Sequence, residues 1–473
     1  MNQKKFYITQ AIPYVNAKPH IGHVLEFVQT DVIIRYHRLL GEEVLALCGG
    51  DENALKNVQA AEAAGVPVQE FVDKNNQLFY ELTKKLRVQF DVWQKGSDRE
   101  HHFFSSQKLW LLCAENGDIY KKSYKGLYCV GCETFYGPEE LDAKGECFEH
   151  PGKKLEMVEE ENYFFRLSKY REKLINLLAL GEFEVVPEKR KNEVVAFLQG
   201  EVRDLSISRS NERAKNWGVP VPGDPTQRMY VWFDALNIYQ SGIGFDWKEE
   251  LYRRWWPPDI QVIGKGIVRF HAVYWPAFLL SAGLKLPKKL FVHEYLTVNG
   301  QKMSKTLGNV YDPVPILEKL GADPLRYYLL AKVSPFEDGD FSEEKLKTAY
   351  NADLANGLGN LAARIAKLAE QSGAKFSIFN PSINTQDCPE RSRMDNFQFS
   401  NPDFDEIRKY LDEFKFDEAL KLIWSWMAEL DRQINEKKPW TLQGKELEAI
   451  LQPWVNEVVK IGVALRLFLP ETA

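Results

Sequence analysis

The sequence predicts an α/β protein whose doubly wound parallel sheet is split by an insertion and followed by an α-helical bundle. Three observations support this fold class. Residues 1–50 alternate strand-like runs with a helix, a cysteine-rich segment begins near residue 115, and the chain after about residue 350 has helical periodicity. The initial alternation is typical of a Rossmann-type sheet, in which ligands bind beyond the carboxyl ends of the strands.

Composition indicates a globular protein with several domains. The chain has 473 residues, 44% hydrophobic and 27% charged, which is enough for about three domains. Its net charge of −6 means that any nucleic acid must bind at local basic patches. The apolar stretch 6–12 ends at Pro13, too early for an export signal or a membrane span. We therefore expect a cytoplasmic protein that does not bind membranes.

The first three elements are predicted to form a βαβ unit. Apolar runs at 6–11 and 44–48 flank a helix over 21–40, whose apolar residues recur every three or four positions and which ends at Gly41. One face of this helix is expected to pack on a sheet. The loop 13–19 then opens at the carboxyl end of the first strand, where such sheets bind ligands.

The rest of the chain completes the predicted organisation. Strand-like runs at 229–233, 260–263 and 290–298, with a helix near 272–280, indicate that the sheet resumes after the insertion. The polar segment 376–402 is predicted to be a long surface loop. A buried helical stripe is predicted at Leu420, Ile423, Met427, Leu430 and Ile434. The predicted segments are the first half of the sheet domain, a connective insertion, the second half, a linking region and a helical domain: 1–114, 115–226, 227–300, 301–349 and 350–473.

A His-x-Gly-His motif follows the first predicted strand, at the first turn of the helix. The N-terminus of a helix offers backbone N–H groups and the positive end of the helix dipole, so His20 and His23 could donate to phosphate oxygens there. Gly22 would let a nucleotide approach closely. Alone the motif is weak, because a helix start with surface histidines explains it equally well.

A second motif, Lys-Met-Ser-Lys-Thr, spans residues 302–306. Lys302 and Lys305 on a loop could close over the β- and γ-phosphates of a nucleotide and the charge of departing pyrophosphate. A solvated surface loop is the alternative for this motif taken alone. The two motifs together are much more specific than either one.

Three cysteines and a histidine are clustered in the insertion. Two knuckles, Cys129-x-x-Cys132 and Cys147-x-x-His150, can supply a closed tetrahedral site for one structural Zn²⁺ ion. Nothing beside them supplies a spare ligand or a general base, so the metal is predicted to hold the insertion together. The alternative is a group of thiols that binds no metal.

The two nucleotide motifs resemble the HIGH and KMSKS signatures of class I aminoacyl-tRNA synthetases, with Thr306 in place of the last serine. Segments 11–14 and 230–239, together with Phe270-His271 and Trp275, resemble the methionyl-tRNA synthetase family, and the likeness spans nearly the whole chain. Trp275 alone is more readily explained by core packing.

The resemblance implies a reaction and its site residues. L-Methionine would react with ATP and Mg²⁺ to form methionyl-adenylate, and the methionyl group would pass to the terminal ribose of tRNA(Met). The catalytic residues implied are His20, His23, Lys302 and Lys305. The ATP-binding residues implied are His20, Gly22, His23, Glu26, Gly264, Lys302, Ser304 and Lys305. The methionine-binding residues implied are Ile12, Tyr14, Asp51, Trp232, Ala235, Leu236, Tyr239 and His271.

These assignments make chemical sense. Aromatic walls contact a thioether favourably, Tyr239 or His271 could donate to the sulfur, and Asp51 would receive the ammonium group. The resemblance also implies that the anticodon CAU is read by three residues of the helical domain, which can stack on splayed bases or hydrogen-bond their edges. They are Asn360, Arg364 and Trp440.

The chain departs from the family pattern at two positions. Asn53 stands where the family has a histidine in its Asp-Glu-His-Gly segment, and Gly266 stands where the family has an aspartate. The missing carboxylate predicts weaker ATP binding.

Alternatives remain open at this stage. Another class I synthetase, such as the cysteinyl enzyme, would not predict Trp232 with His271 and Trp440. A non-catalytic tRNA-binding relative is kept open by Asn53 and Gly266, whereas a nucleotidyltransferase would have no use for an anticodon bundle. The insertion is too short for a separate editing domain. Because no dimerisation module follows residue 473, we expect a monomer.

Overall fold

The computed structural model describes residues 3–129, 134–137, 141–147, 152, 155–303, 308–373, 376, 399 and 401–473. The chain forms two compact units that are interleaved along the sequence. The first comprises Met1–Pro19, Glu43–Lys84 and Gln89–His293, and the second comprises His20–Glu42, Lys85–Val88 and Glu294–Ala473. Among the described helices, none is long and apolar enough to cross a membrane.

The strands of the first unit precede those of the second in the chain. In chain order they are β1 (Lys5–Gln10), β2 (Glu43–Gly50), β3 (Val92–Lys95), β4 (Ile119–Cys129), β5 (Thr134–Tyr136), β6 (Glu156–Phe165), β7 (Glu184–Val186), β8 (Leu205–Ser206), β9 (Ser208–Ser210), β10 (Pro220–Val221), β11 (Asp224–Met229), β12 (Ile260–Gly264) and β13 (Lys289–His293). The second unit contributes β14 (Leu296–Val298), β15 (Gln301–Lys302) and β16 (Gly339–Phe341).

A six-stranded parallel sheet lies at the centre of the first unit. Its order is β3-β2-β1-β12-β13-β7, and each neighbouring pair is parallel. β1 is buried from Phe6 to Gln10 because it has a neighbour on each side and lies in the middle of the sheet. The strand order changes direction at β1, which pairs with β2 on one side and β12 on the other. The predicted parallel α/β sheet is therefore confirmed.

The segment predicted as an insertion contains mostly antiparallel strands. β4 pairs with β6 over ten positions, from Ile119 opposite Phe165 to Tyr128 opposite Glu156, and β5 and β8 complete that sheet. A smaller sheet has the order β10-β11-β9. β7 from the same segment is instead the edge strand of the central parallel sheet, where it pairs with β13.

The helices alternate with these strands. They are α1 (Ile21–Leu39), α2 (Leu55–Ala64), α3 (Val68–Lys85), α4 (His102–Glu115), α5 (Arg171–Leu180), α6 (Glu188–Gln199), α7 (Val231–Ala235), α8 (Ile238–Ser241), α9 (Glu249–Trp255), α10 (Trp275–Ser281), α11 (Val314–Leu320), α12 (Ala322–Ala331), α13 (Glu343–Ala349), α14 (Asn360–Ser372), α15 (Asp405–Asp412), α16 (Phe416–Lys437) and α17 (Gly444–Leu465). Short 3₁₀ segments are Leu167–Tyr170, Lys265–Ile267, Pro402–Phe404 and Pro439–Thr441, and π-helical segments are Phe270–Tyr274 and Tyr350–Gly359.

Two strand predictions were wrong. β11 ends at Met229, and the predicted strand 229–233 continues as helix α7. A short, fully buried apolar run has the same pattern in a strand and in a buried helix, so the sequence could not distinguish them. The predicted run 290–298 is two strands, because β13 ends at His293 in the central sheet and β14 pairs with β15 and β16.

The predicted helical stripe is confirmed, because its five residues are all buried on one face of α16. The predicted loop 376–402 lies mostly outside the described residues. Trp275 is fully buried and meets Tyr239 and Trp256 edge-on, which confirms the core-packing interpretation.

A buried ion pair joins the elements of the second unit. The Arg326 guanidinium on α12 lies 2.7 Å from the Asp31 carboxylate on α1, and both side chains are fully buried. Arg326 also donates to the carbonyl oxygens of Leu86 and Phe468, at 3.1 and 2.7 Å. Asp31 accepts a second hydrogen bond from Arg35 at 2.6 Å. One arginine thus connects α1, the segment 85–88 and the chain after α17.

Replacing Arg326 by methionine is expected to destabilise the second unit strongly. Asp31 would keep Arg35 but lose the buried partner, and removing one member of a buried pair costs roughly 3–5 kcal/mol. Urea unfolding followed by circular dichroism should show the loss. Arg432→Met, which removes an exposed arginine that pairs within α16, is the control and should leave the midpoint unchanged. Equal midpoints for the two variants would contradict the prediction.

Candidate active site

The first motif forms the N-terminal cap of α1. The Gly22 backbone N–H donates to His20 Nδ1 at 3.2 Å, and the His20 backbone N–H donates to His23 Nδ1 at 3.0 Å. The two rings lie 3.8 Å apart between centroids. This reciprocal arrangement is a capping box built from two imidazoles in place of the usual hydroxyl and carboxylate groups.

The cap determines which ring nitrogen can donate. Because each Nδ1 accepts from a backbone N–H, the proton of each neutral imidazole must be on Nε2. Burial, and next the neighbouring His20, hold the pKa of His23 well below its usual range, so His23 is neutral. His23 can therefore offer an Nε2–H donor without a positive charge, and the cap leaves Nε2 as the donor atom of His20 as well.

The second motif lies in the same compact unit as the first. Ile21 donates from its backbone to the Tyr311 carbonyl at 3.0 Å, which ties the start of α1 to the chain after the motif. A β-carbon placed on Gly22 would lie 3.0 Å from Met303 Cε, so the backbone here is approached closely by the second motif. Lys302 is in β15, whereas Ser304 and Lys305 lie outside the described residues. Glu26 is half-buried on α1.

The residues predicted to bind methionine all belong to the first unit, and several follow strand ends. Ile12 and Tyr14 follow β1, and Asp51 follows β2. The Asp51 backbone N–H donates to the Pro13 carbonyl at 2.9 Å, and Tyr14 and Asp51 form an isolated parallel bridge. Asp51 is 4% exposed. Parallel pairing thus brings its carboxylate beside the loop that begins at Ile12.

An aromatic wall stands next to this loop. Trp232 stacks on Phe270 with 3.9 Å between ring centroids and 4° between ring planes, and it meets Tyr14 edge-on at 6.1 Å. The wall also contains Ala235 and Leu236, which are buried on and just after α7. The Trp232 indole N–H is buried and makes no hydrogen bond to any residue in the described part of the chain, so it is a donor that a ligand could satisfy.

Tyr239 and His271 form a buried hydrogen-bonded pair. His271 Nδ1 lies 3.0 Å from the Ile267 carbonyl, so Nδ1 must carry the proton, and Nε2 then accepts from the Tyr239 hydroxyl at 2.9 Å. Burial lowers the pKa of His271 to about 4, so the ring is neutral at physiological pH. In this arrangement both protons are used within the protein. The tyrosine oxygen can accept from a ligand, but neither group donates to one.

The segment after β12 carries the remaining predicted ATP contact. Gly264 is the last residue of β12 and pairs with His293 in the sheet. Gly266 lies in the 3₁₀ turn Lys265–Ile267 that follows, and the π-helical segment Phe270–Tyr274 comes next. A side chain at position 266 would therefore start from the carboxyl edge of the sheet. Weaker ATP binding without a carboxylate there stays a prediction.

The described half of the predicted zinc site consists of two buried thiols. Cys129 and Cys147 are 2% and 1% exposed, and Cys147 Sγ lies 3.6 Å from the Tyr136 hydroxyl. Cys132 and His150 lie outside the described residues. Two buried thiols, one at the end of β4 and one between β5 and β6, fit a zinc ligand set, and among the residues that the structure describes no complete metal cluster is found.

The predicted anticodon residues lie at one end of the helical part. Asn360 begins α14 and is exposed. Arg364, one turn later, forms an ion pair with Asp431 and donates to Asn435 at 2.9 Å on α16. Trp440 follows α16 and is 59% exposed. An oriented guanidinium and an exposed indole are groups on which unpaired bases can stack.

Sequence reasoning missed the interactions that hold these residues in place. The hydrogen bond between the Asn53 side chain and Asp234, at 2.6 Å, joins residues far apart in the sequence. Asp31 was also not singled out, although an aspartate in the predicted apolar region of α1 was a signal that a buried cation would be needed.

Comparisons with known proteins agree with the sequence motifs. The sequence model of the family described as tRNA synthetases class I (M) matches residues 6–366. The methionine–tRNA ligase of Thermotoga maritima is 42% identical over 99% of this chain and 74% of that protein. The ligase of Brucella suis biovar 1 is 40% identical over all of this chain and 91% of its own length.

Solved structures give the same result. The Mycobacterium tuberculosis methionyl-tRNA synthetase bound by methionyl-adenylate superposes with a TM-score of 0.88 at 37% identity, covering 99% of this chain and 92% of that one. Its apo form superposes with a TM-score of 0.80 at 34% identity, covering 99% and 90%.

The low pKa of His271 predicts a pH-dependent stability. The unfolded histidine has a pKa of about 6.5 and the folded one about 4, so the unfolded chain binds the proton first as pH falls. The contribution of His271 to the free energy of unfolding is therefore complete above pH 6.5 and is lost as the pH falls from 6.5 to 4. The shift corresponds to about 3 kcal/mol.

His271→Gln keeps an amide that can accept from Tyr239 but does not titrate. We expect the stability difference between wild type and this variant to shrink as the pH of urea unfolding experiments falls from 7 towards 4.5. A constant difference across that range would show that His271 does not titrate as the structure indicates.

Proposed function

The chain belongs to the methionyl-tRNA synthetase family of class I aminoacyl-tRNA synthetases, and from this membership we propose which residues carry each part of its reaction. The protein is a methionine–tRNA ligase, which activates L-methionine with ATP and transfers it to tRNA(Met), releasing AMP and pyrophosphate. The full-length similarity carries this conclusion. The pocket of Asp51, Trp232 and the Tyr239–His271 pair supports the choice of amino acid.

Adenylation needs positioning and charge stabilisation. A methionine carboxylate oxygen attacks the α-phosphorus of ATP, and the bond to the pyrophosphate oxygen breaks. The Nε2–H groups of His20 and His23 donate to phosphate oxygens, and Lys302 and Lys305 neutralise the charge on departing pyrophosphate. Mg²⁺ accompanies ATP and supplies further neutralisation of its phosphates. Bound reactants in line remove the need for a covalent intermediate on the enzyme.

The nucleotide is held by small and polar residues around this motif. Gly22 admits the nucleotide to the backbone at the start of α1, and Glu26, one turn later, contacts the nucleoside. Gly264 at the end of β12 and Ser304 in the second motif complete the set. The helix dipole of α1 favours the negative charge at its N-terminus.

Methionine is recognised at both ends. Asp51 receives the ammonium group, and the wall of Trp232, Tyr14 and Ile12 encloses the thioether together with Ala235 and Leu236. Because the Tyr239 hydroxyl donates to His271 and His271 donates to the Ile267 carbonyl, these two groups shape the far end of the pocket without donating to the sulfur in this arrangement. The pocket is therefore polar for the ammonium group and mainly aromatic for the side chain.

The helical part reads the tRNA. Arg364 and Trp440 stack on bases of the CAU anticodon, and Asn360 hydrogen-bonds a base edge. The fixed guanidinium of Arg364 and the exposure of Trp440 support these roles. We infer that the protein acts in the cytoplasm, and the monomeric state stays a prediction.

The insertion is proposed to bind one structural zinc ion through Cys129, Cys132, Cys147 and His150. The burial of both described thiols supports this proposal. When bound, zinc would cross-link these four residues and stabilise an insertion that has only a small core. The four residues hold the insertion in shape and take no part in the transfer.

Methionine-dependent exchange of labelled pyrophosphate into ATP tests the function. Exchange is expected with methionine and not with cysteine, isoleucine, leucine or valine. Asp51→Asn should raise the KM for methionine on the order of 30-fold or more, since losing one partner of a buried charge pair costs roughly 2–5 kcal/mol. The KM for ATP should change little.

Asp246→Asn is the matched control, because it makes the same chemical change at an exposed site of the first unit. Exchange driven by another amino acid would overturn the specificity. No exchange from folded, zinc-loaded protein would instead favour a non-catalytic tRNA-binding relative.

Metal analysis tests the zinc site. The purified protein should contain about one zinc ion per chain by mass spectrometry, and Cys129→Ser or Cys147→Ser should lose most of it, because a structural site needs all four ligands. Cys113→Ser is the control. Burial raises the pKa of the Cys113 thiol to about 12, so it is not a thiolate ligand. Full zinc content in the Cys129 and Cys147 variants would refute the ligand set.

A further inference from the structure

The side chain of Asn53 cross-links two parts of the first unit. Its Nδ2 group donates to the Gly96 carbonyl at 2.7 Å and to the Asp234 carboxylate at 2.6 Å. Gly96 follows β3, and Asp234 is on α7. An amide nitrogen has two protons, so these two hydrogen bonds use its whole donating capacity. The position of Asn53 is thereby fixed from two sides.

The same residue is part of the segment that presents Asp51. The Asn53 backbone N–H donates to Asp51 Oδ1 at 3.2 Å, and Asn57 donates to the Asp51 carbonyl at 2.9 Å. The backbone bond to Oδ1 can orient the carboxylate only while residue 53 stays in place. The side-chain hydrogen bonds of Asn53 therefore help to fix the orientation of the Asp51 carboxylate.

Asp234 connects this segment to the aromatic wall. It lies on α7 between Trp232 and Ala235 and is 1% exposed. Burial raises the pKa of Asp234, and the nearest histidine, His102, approaches it at 3.9 Å. A carboxylate in such a place depends on close donors, and the Asn53 amide is one of them. Losing that amide would release α7 from the segment 51–53.

We propose that Asn53 is a positioning residue that fixes the distance between the ammonium site at Asp51 and the side-chain wall at Trp232 and Ala235. The inference deepens the proposed function and rests on the role of Asp51 given there. Methionine is held at both ends, so a fixed separation selects an amino acid of matching length. An amide does this without titrating.

Kinetics of the exchange reaction in the full-length protein test this role. Asn53→Ala is expected to raise the KM for methionine about tenfold, the effect of losing a hydrogen bond to a charged group. The KM for ATP and kcat should stay within about twofold. Asn53→His retains a ring N–H donor and should restore most of the methionine KM. Asp234→Asn keeps an oxygen that can accept from Asn53 and should leave the methionine KM within about threefold of wild type.

Two further variants separate a positioning role from a general structural one. Asn162→Ala removes a fully buried amide on β6, whereas Asn53 is half-buried, and it should lower the melting temperature without changing the methionine KM. Asn53→Ala should raise the methionine KM by a smaller factor in the Asp51→Asn variant than in wild type, since part of its effect acts through the Asp51 carboxylate.

The outcomes of these experiments distinguish a failure of the positioning role of Asn53 from a failure of the proposed role of Asp51. An ordinary methionine KM in Asp51→Asn would overturn the role of Asp51, and the cross-link argument with it. A raised KM in Asp51→Asn combined with a fully additive effect of Asn53→Ala would overturn the positioning role alone. Equal rises in the KM values for methionine and ATP in Asn53→Ala would also overturn it.

Discussion

The parallel pairing of β1 with both β2 and β12 is the constraint on which the proposed methionine site depends. Parallel strands end at the same edge, so the residues after Gln10, Gly50 and Gly264 emerge together. The sheet continues into the site through the bond from Asp51 to the Pro13 carbonyl. Close approach of the strands also requires Gly49, where a β-carbon would lie 1.9 Å from the Gln94 carbonyl oxygen. The position of the proposed ammonium site is thus a consequence of strand pairing.

The arrangement of the second unit depends on a buried ion pair, as the arrangement of the first depends on the pairing of its strands. α1 carries the two capping imidazoles at its N-terminus and Asp31 in its interior, so burial of Asp31 beside Arg326 also positions the end of the helix that carries His20 and His23. Burying either the Asp31 carboxylate or the Arg326 guanidinium alone would be costly. Here the two pair with each other, and Arg326 also donates to three backbone carbonyls. The ion pair therefore fixes the position of α1 along α12.

The sequence predicted what local pattern and motif spacing determine. The parallel sheet, the helical stripe of α16 and the positions of His20 and Asp51 after strands followed from periodicity and from strand-end geometry. The strand at 229–233 was predicted wrongly because burial on all sides removes the periodicity that separates helix from strand. Pairs such as Asn53–Asp234 and Asp31–Arg326 could not be predicted from the sequence, because each joins residues that are far apart in the chain and meet only in the fold.

Two histidines proposed for substrate contacts are kept uncharged, one in each unit, because burial holds the pKa of His271 at about 4 and that of His23 well below its usual range. Asn53 carries an amide, which is uncharged at any pH. The groups that orient the proposed ammonium site, the Asn53 backbone N–H and the Asn53 amide, do not titrate, so they add no cation of their own beside Asp51. The orientation that they give to the Asp51 carboxylate is therefore independent of their protonation.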